Sequence, residues 1–433
     1  MRGRGSNSIR LRLFNERVVL TQLRRLAQAS QKEIADATGL TVQSVVDIVD
    51  GLQKSGLVKQ IGKRAGRVGQ PSMLYAIDPD GVFACGLRVG SSRSELALVD
   101  FAGNIRQRIA RDLAPPGLKL VRDFARDGYR GFIKSEPAIE GRVLGLGVAL
   151  SHELWYRHDR HHLAPEVTAA WSAPHIAADF QSVIGLPVFV ENDTRVAAIA
   201  EYLLGDAQNL QTFLYVSIGA FISGALVLGG NLLAGAHGNS ATLGAIPVGP
   251  SRLAHANARA GGRLNDRASL DGLIRHLGLH GFTIRAVSEL PEVLDEARSV
   301  IQEWVDDCIE ALVEGLTACF AVIAVETVII DSALPQFLVL EIVERLTRRL
   351  AADAAPGATA PKLRMSELGQ EAALLGSAIL PVNAHFFPSS DVLIGAATDA
   401  GFDQRARRRE RSGAIGARRT AKTGGQNASQ DDI

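Results

Sequence analysis

The sequence predicts an α/β protein in which a small winged helix-turn-helix domain precedes a larger body of two α/β lobes. Charge is uneven, because residues 1–75 carry 13 Lys and Arg against 5 Asp and Glu, whereas residues 76–433 carry 34 against 41. Helical patterns fill the basic segment, and a layout of strands followed by helices occurs twice in the acidic remainder, at about residues 82–200 and 211–382. A chain of 433 residues is also too long for one core, since domains usually hold roughly 100 to 200 residues.

The composition is that of an ordinary globular protein. Apolar residues make up 46% of the chain and charged residues 21%, which excludes wholesale disorder. The three cysteines have no paired spacing, so we expect neither a disulfide framework nor a zinc knuckle. The basic start with Arg2 and Arg4 is followed by no apolar signal-peptide core, and no run of about 18 apolar residues appears later. We therefore expect a cytoplasmic location and no membrane contact.

The basic segment predicts a domain at residues 14–78 behind a basic arm at residues 1–13. Its first helix is predicted over residues 14–28, where apolar side chains from Phe14 to Leu26 recur close to helical spacing. Charged and polar residues occupy the positions between them. One face of this helix is therefore expected to pack on the rest of the domain.

Two further helices are predicted directly after the first. Ser30 and Glu33 have the spacing of a capping box, which indicates a short second helix that stops at Gly39. Thr41 is placed to cap a third helix. The apolar stripe of this third helix consists of Val42, Val45, Val49 and Leu52. The short turn between the second and third helices is typical of a helix-turn-helix.

Two β-prone segments after the third helix predict a wing. They lie at residues 57–61 and 73–77, and the loop between them is rich in Gly, Lys and Arg. A turn at residues 78–81 then marks the boundary with the acidic body.

This arrangement predicts that double-stranded DNA, as an operator site, is the partner of the basic domain. A recognition helix presents the outward residues of its N-terminal part to base edges in the major groove. Gln43 is suited to adenine, whereas the carboxylate of Asp47 contributes selectivity rather than affinity. The predicted base-facing residues are Thr41, Gln43, Ser44 and Asp47, and the predicted phosphate contacts are Lys63, Arg64 and Arg67 in the wing and Arg10 and Arg12 in the arm. Since one such module makes few contacts, we expect a homodimer or a dimer of dimers on two half-sites.

Alternating patterns in the acidic body predict two α/β lobes with a ligand cleft between them. Residues 82–113 indicate a hairpin with a turn at residues 102–104, followed by a third strand. The polar, Arg-rich residues 402–433 predict a disordered tail. Further strands are predicted at residues 143–150, 187–191, 212–218, 223–228 and 327–330, and helices at residues 294–321 and 370–380.

These segments resemble the ROK family, which contains repressors and sugar kinases on an actin-like ATPase fold. The resemblance covers about residues 14–385 and rests on NERVVLTQL through GQPSMLYAI, LPVFVENDTRVAAIAE, GNLLAGAHGNSATLGAIPVG and GQEAALLGSAIL. It implies a winged helix-turn-helix like that of the family's sugar-responsive repressors. It also implies that residues 82–385 form a two-lobed, sugar-kinase-like domain for effector binding and dimerisation.

The chain departs from the family's kinases at both phosphate segments. Where the kinases have a stretch similar to Asp-x-Gly-Gly-Thr-Lys, this chain has Arg88 followed by VGSSR. The second loop, similar to Gly-Thr-Gly-Ile-Gly in the family, is GAFIS here and carries the bulky Phe221 and Ile222 where phosphate requires a close backbone approach. Phosphoryl transfer depends on positioned amides and cations around the phosphates. We therefore expect no ATP binding, no catalytic residue, no cofactor and no enzymatic activity.

The family's sugar-contacting and zinc-binding segments are also altered. A Glu-Ile-Gly-His pattern is replaced by Thr242 followed by LGA, and no cysteine occurs at residues 250–263, where the family's cysteine-rich zinc stretch falls. Because structural zinc requires about four such ligands, no structural zinc is expected there. The position of the kinases' catalytic aspartate is retained as Asp193, beside Asn192.

The retained pair can still bind a polyol, so Asn192 and Asp193 are predicted effector contacts. The alternative is that both residues cap the helix that opens at Thr194. A histidine-rich segment at residues 152–162 fits a polar surface loop or, alternatively, a metal site, although its spacing matches no His-Glu-x-x-His motif. Further effector contacts are predicted at His237, Gly238, Asn239 and Thr242.

The sequence thus predicts a transcription regulator that represses carbohydrate uptake or catabolism genes and responds to a sugar or sugar derivative. Two alternatives stay open at this point. One is an active, ATP-dependent sugar kinase with an accessory DNA-binding domain. The other is a body that serves only as a dimerisation scaffold.

Overall fold

A computed structural model describes residues 8–64, 72–151, 165–171, 175–234, 241–254, 262–353 and 360–388. The chain divides into two compact units. The first unit is formed by residues 1–78 and 383–433, and the second by residues 79–382. The predicted disordered tail at residues 402–433 lies outside the described residues.

The first unit contains three helices followed by a two-stranded antiparallel sheet. Leu23, Val45 and Val49 are fully buried between the helices. The helices are α1 (Ser8–Leu26), α2 (Gln31–Thr38) and α3 (Val42–Lys54), and the strands are β1 (Val58–Arg64) and β2 (Ser72–Ile77). These are the elements that the sequence predicts for this segment, in the predicted order.

Local side-chain hydrogen bonds fix the ends of α2 and α3. The Ser30 hydroxyl accepts from the Glu33 amide while the Glu33 carboxylate accepts from the Ser30 amide, which completes the predicted capping box. Gly39 ends α2 with a φ of 70°, a left-handed conformation that glycine adopts without strain. Thr41 caps α3 by accepting from the Ser44 amide. The turn between the two helices is thus specified by Gly39 and Thr41.

The first helix differs from the prediction at its start. It begins at Ser8 rather than at residue 14, so Arg10 and Arg12 lie on α1 and not on an extended arm. The Arg12 guanidinium lies 3.1 Å from the Glu16 carboxylate one turn later, which stabilises this helical extension. The predicted apolar stripes were also misplaced at their ends, because Leu26 and Val42 are exposed.

The first unit also includes the residues that follow the body. The sequence assigned residues up to 385 to the body, whereas the structure groups residues from 383 onward with the first unit. The Arg17 guanidinium donates a 3.0 Å hydrogen bond to the Phe387 carbonyl oxygen. Burial lowers the pKa of Arg17, as expected for a cation removed from water.

The first lobe of the second unit is a mixed five-stranded sheet with helices packed on it. The sheet order is β5-β4-β3-β6-β7, in which β3, β6 and β7 are parallel and β4 and β5 are antiparallel to their neighbours. The strands are β3 (Phe83–Val89), β4 (Arg93–Asp100), β5 (Ile105–Asp112), β6 (Val143–Leu150) and β7 (Val188–Asn192). The helices are α4 (Leu118–Ser135), α5 (Pro165–Trp171), α6 (Ile176–Ile184) and α7 (Asp193–Leu203).

The second lobe repeats this topology. Its sheet order is β10-β9-β8-β11-β12, again with three parallel strands and two antiparallel ones. The strands are β8 (Phe213–Ile218), β9 (Ile222–Leu228), β10 (Asn231–Leu232), β11 (Thr327–Ser332) and β12 (Lys362–Met365). Its helices are α8 (Leu264–Ala268), α9 (Leu270–Leu279), α10 (Leu290–Val293), α11 (Arg298–Phe320) and α12 (Gln336–Ala352), and they are followed by α13 (Ala372–Phe386), which lies against the sheet of the first lobe.

Most predicted elements of the body agree with the structure. The turn at residues 102–104 is present, with Gly103 at a φ of 100° and the Asp100 carboxylate accepting from the Asn104 amide. The predicted helix at residues 294–321 is shorter, because α11 begins at Arg298. Strand β12 and helix α12 were not predicted. Among the described residues, no helix is both long and apolar enough to cross a membrane.

Glycines allow α13 to pack directly on the first sheet. A Cβ atom at Gly147 on β6 would lie 1.8 Å from the Ser377 carbonyl oxygen, and one at Gly86 on β3 would lie 2.6 Å from the Leu374 carbonyl oxygen. A Cβ at Gly376 would lie 1.9 Å from the carbonyl oxygen of Val196 on α7. Helix α13 therefore fits against the sheet and α7 only because these three positions lack side chains.

Candidate functional site

A cavity of about 390 Å³ lies between the two lobes of the second unit. It is formed where parallel strands of both sheets end: β3 supplies Arg88, β8 supplies Ser217 and β11 supplies Asp331, while Ser151 directly follows β6. The first turn of α7 adds Asp193 and Thr194. Carboxyl ends of parallel strands are the usual place for ligand sites in α/β folds, and the volume is within the range of small-molecule pockets.

Arg88 supplies positive charge among the carboxylates of this cavity. Its guanidinium lies 3.7 Å from the Glu95 carboxylate on the neighbouring strand. It also favours the charged forms of Asp193 and Asp331 by charge attraction. The resemblance to the ROK kinases places an acidic residue at the Arg88 position, so the sign of the charge at this strand end is reversed.

Burial dominates the protonation of both aspartates. Burial raises the pKa of Asp331 to about 6, although Tyr215 and Arg88 both favour its charged form. Burial also raises the pKa of Asp193, against the opposing effects of Arg88 and of the Thr194 amide, which donates to the Asp193 carboxylate over 2.7 Å. The cavity therefore contains two carboxyl groups that bind protons more tightly than they would in water.

The loop between β8 and β9 forms a second wall of the cavity. Phe221 lines the cavity and is nearly buried. The Gly219 carbonyl oxygen accepts a 2.8 Å hydrogen bond from the Leu270 amide at the start of α9, and the Ile222 amide donates to the Asn265 side chain over 3.0 Å. These backbone groups of the loop are therefore hydrogen-bonded within the protein. Phe221 forms part of this wall, whereas the resemblance to the ROK kinases implies a phosphate-binding loop of small residues here.

Helix α7 connects the two lobes. The Thr194 hydroxyl lies 2.6 Å from the Ser223 hydroxyl on β9, and the Arg195 guanidinium donates a 2.6 Å bond to the Leu233 carbonyl oxygen. Farther along α7, the fully buried Glu201 carboxylate accepts from the Ser366 hydroxyl and the Leu368 amide. The helix that carries Asp193 is thus hydrogen-bonded to the second lobe at both ends.

The structure separates the predicted effector residues. Asp193 lines the cavity, whereas the Asn192 side chain caps α7 by accepting from the Thr194 and Arg195 amides, as in the capping alternative. Thr242 is exposed and does not line this cavity. The predicted contacts His237, Gly238 and Asn239 lie outside the described residues, as does the histidine-rich segment at residues 152–162.

Several cavity residues were not predicted as contacts. The sequence singled out Arg88 only as a departure from the kinases, and Ser91, Ser92, Asp331 and Gln370 were not named as site residues. For Asp331 a signal existed, because an acidic residue directly follows the predicted strand at residues 327–330. The duplicated layout makes β11 the equivalent of β6, whose end also borders the cavity through Ser151, and this brings Asp331 to the cavity.

In the first unit, the predicted base-facing residues lie at the beginning of α3. Thr41, Gln43 and Asp47 are exposed and Ser44 is half-buried. The Gln43 amide donates to the Asp47 carboxylate over 3.1 Å, and the Thr41 and Ser44 hydroxyls lie 2.8 Å apart. The polar groups at this end of α3 therefore orient one another at the surface.

The predicted basic residues of this unit lie in different surroundings. Lys63 and Arg64 are exposed at the end of β1, where the Arg64 guanidinium forms a 2.7 Å ion pair with Glu33 of the α2 capping box. Arg12 is exposed on α1, and Arg10 is half-buried there. Arg67 lies outside the described residues.

Comparison with known proteins places this geometry in a family. The model of the ROK family matches residues 84–383. The xylose repressor of Bacillus subtilis (strain 168) is 23% identical over 234 residues, which are 54% of this chain and 60% of that repressor. The chain thus spans less than two thirds of this relative's length.

Two solved structures share the fold at low identity. A ROK family transcriptional regulator, a homologue of the E. coli MLC protein, is 18% identical with a TM-score of 0.65, and the match covers 90% of this chain and 99% of that one. The ROK family glucokinase from Streptomyces griseus, solved with glucose and AMPPNP, is 21% identical with a TM-score of 0.54, and covers 69% of this chain and 98% of that one. The body has the mixed α/β, actin-like fold of sugar kinases, and the chain belongs to the ROK family.

Proposed function

We propose that this chain is a DNA-binding transcription regulator, acting as a repressor, whose two-lobed body binds a sugar or sugar derivative and transfers no phosphate. The observation that carries the proposal is that the first unit has three helices followed by two antiparallel strands, which is the element order of a winged helix-turn-helix. Its third helix exposes Thr41, Gln43 and Asp47 at the N-terminal end, and its hairpin ends in the exposed Lys63 and Arg64. A helix of this kind enters the major groove while a basic wing contacts phosphates.

The extent of the similarities supports a regulator over a kinase. The family model begins at residue 84, and the glucokinase match covers 69% of the chain, whereas the transcriptional regulator match covers 90%. The extra length corresponds to a segment that is additional to the kinase-like body. The xylose repressor similarity points to the same class of protein and to a carbohydrate as the effector.

The walls of the cleft argue against phosphoryl transfer. Enzymes of this chemistry surround the phosphates with free backbone amides and with metal ions held by carboxylates. Here Arg88 occupies the strand end where the family resemblance implies an acid, and Phe221 forms part of the second loop. A guanidinium beside Asp193 and Asp331 opposes binding of a divalent cation at the same place by charge repulsion.

The cleft retains groups suited to a small polar ligand. Carbohydrates present hydroxyl groups that both donate and accept hydrogen bonds, and hydroxyl side chains can pair with either. Those lining the cavity are Ser91, Ser92, Ser151, Thr194, Ser217 and Ser223. The cavity walls come from both lobes, so a bound ligand favours one angle of closure between the lobes. This change in closure alters the affinity of the protein for DNA.

Selection from a random duplex library, followed by fluorescence anisotropy on the selected sequence, tests the proposal. We expect specific binding by a dimer to two half-sites, weakened or strengthened by one class of sugars. Gln43→Ala should relax base preference at one position of each half-site, by about 1 to 3 kcal/mol. Gln53→Ala, at the other end of the same helix, is the matched control and should bind as the wild type does. A protein that selects no sequence at low salt would refute the DNA-binding function.

An active sugar kinase is the second candidate, favoured by Asp193 in the cavity. A carboxylate with a raised pKa can accept a proton from a sugar hydroxyl, and burial raises the pKa of Asp193. Incubation with ATP, Mg²⁺ and a panel of hexoses and N-acetylhexosamines separates the two functions. Sugar-dependent ADP release that Asp193→Asn abolishes would establish the kinase, and its absence at high enzyme concentration supports the regulator.

A further inference from the structure

The side chains of two histidines and a glutamate lie close together in the second lobe, and none of them lines the interlobe cavity. His276 on α9 and His280, which caps the C-terminal end of that helix, are four residues apart and therefore face the same side. Glu303 on α11 meets them there. One nitrogen of each histidine and one oxygen of the glutamate lie within 4.8 Å of one another.

The distances fit a tetrahedral metal ion after a small side-chain adjustment. Zinc–nitrogen bonds of about 2.0–2.1 Å place neighbouring tetrahedral ligands roughly 3.3 Å apart. The Glu303 carboxylate oxygen lies 3.1 Å from His276 Nε2 and 4.0 Å from His280 Nε2. The two imidazole rings are in edge contact, with centroids 4.7 Å apart. Only the His280 ring has to approach, and its half-exposed position at the helix end leaves it room.

The surroundings favour a cation and give it access. The C-terminal end of a helix carries partial negative charge on its unpaired carbonyl groups, and His280 stands at that end of α9. His276 is buried, with a side chain 3% exposed, whereas the Glu303 side chain is 50% exposed and borders a second cavity of about 590 Å³. A metal ion can therefore enter from solvent and become anchored on a buried ligand.

We propose that His276, His280 and Glu303 form a site for a divalent transition metal of the zinc type, with water as the fourth ligand. This site is distinct from residues 250–263, where the sequence predicts no zinc. It joins α9 to α11. Since the first turn of α9 lines the interlobe cavity and binds the Gly219 carbonyl oxygen, the metal holds one wall of the effector cleft in place.

Titration of the untagged, EDTA-treated full-length chain with Co²⁺, followed by displacement with Zn²⁺, tests the site. We expect visible absorption bands typical of four- or five-coordinate Co²⁺, and a rise in melting temperature with Zn²⁺. Loss of an outer-shell partner alone lowers metal affinity by about 10- to 100-fold. His280→Ala and Glu303→Gln each remove a direct ligand, so each variant should lose at least that much affinity or bind one metal ion fewer.

His175→Ala is the matched control. His175 also lies near a carboxylate, 3.5 Å from Asp179, but no second histidine is grouped with this pair among the described residues. The His175→Ala variant should bind the metal with the stoichiometry and affinity of the wild type. Because the His280 and Glu303 side chains are half-exposed, both variants should fold, and circular dichroism checks this before the titration. Wild-type binding that is unchanged in both His280→Ala and Glu303→Gln, or no binding by the wild type, would overturn the proposal.

Discussion

Arg267 on α8 and Asp307 on α11 form a buried ion pair in the second lobe. Arg267 Nη2 lies 2.8 Å from an Asp307 carboxylate oxygen, and the two side chains are only 1% and 5% exposed. Arg267 also donates to the Gly249 carbonyl oxygen, while the Gly249 amide donates to Glu314. Charged side chains thus hold the segment just before residues 250–263, the stretch in which the ROK resemblance implies a zinc site in other members.

Removal of Arg267 should strongly destabilise the second unit. Arg267→Ala leaves the Asp307 carboxylate buried without its partner, which typically costs about 3–5 kcal/mol. Chemical denaturation followed by far-ultraviolet circular dichroism measures the loss. Arg298→Ala is the control, because Arg298 pairs with Asp295 at the surface and such pairs contribute about 0–1 kcal/mol. Equal losses for both variants would contradict the role of burial.

Helix α13 should tolerate no side chain at Gly376. A Cβ there would lie 1.9 Å from the Val196 carbonyl oxygen, so Gly376→Ala forces α13 and α7 apart and should cost at least about 1–3 kcal/mol. Gly131→Ala on α4 is the matched control, since nothing lies within 4 Å of its Cβ position. Alanine is the better helix former, so that control should gain up to about 1 kcal/mol. Thermal unfolding of both variants compares them directly.

The raised pKa of Asp331 predicts a specific pH dependence of stability. The folded protein holds a proton on Asp331 up to a pKa of about 6, whereas the unfolded chain releases it near the ordinary value of 3.8. The contribution of this group to stability is therefore greatest below pH 4 and falls as the pH rises to about 6. Asp331→Asn mimics the neutral acid and should stabilise the protein by roughly 1 to 3 kcal/mol at pH 7.5.

The Asp331→Asn effect should vanish at pH 4, where the wild-type side chain is itself neutral. Denaturation of wild type and variant at pH 4, 5, 6 and 7.5 gives the difference at each point. Asp295→Asn, at an exposed position, controls for the loss of one acidic residue. A difference that is constant across this pH range would show that Asp331 does not titrate in it.

Lys63 at the end of β1 should contribute to DNA affinity without contributing to sequence preference. Lys63→Ala removes one phosphate contact, so the slope of log K against log salt should become less negative by about 0.9. Anisotropy titrations on specific and unrelated duplexes at several salt concentrations measure this change. Lys119→Ala, in the second unit, should leave the slope unaltered. An identical slope for Lys63→Ala would exclude a phosphate contact at this residue.

The parts of the fold that could be predicted are those specified by neighbours in the chain. The Ser30–Glu33 capping box and the turn at Gly103 depend on residues within a few positions of each other, so the pattern alone identifies them. The start of α1 could not be placed, because residues 8–13 contain no helix breaker. The exposure of Val42 depends on which neighbours pack against α3, and spacing does not provide this information.

The site was predicted only in part for a similar reason. Asp193 was identified because the surrounding motif resembles the family, and capping by Asn192 was open as an alternative. Asp331 and Arg88 come from strands more than 200 residues apart in the sequence, and only the parallel pairing within each sheet brings their ends to one cleft. The role of Arg88 therefore follows from three-dimensional proximity and not from the local sequence.

The guanidinium of Arg88 belongs to the polypeptide, in contrast to a magnesium ion, which must be bound from solution. A tethered cation cannot be chelated, diluted or exchanged, and an arginine keeps its charge throughout the physiological pH range. The contribution of this guanidinium to the electrostatic potential at the end of β3 is consequently independent of the cellular supply of divalent ions. Protonation of the neighbouring carboxyl groups can still change this electrostatic potential.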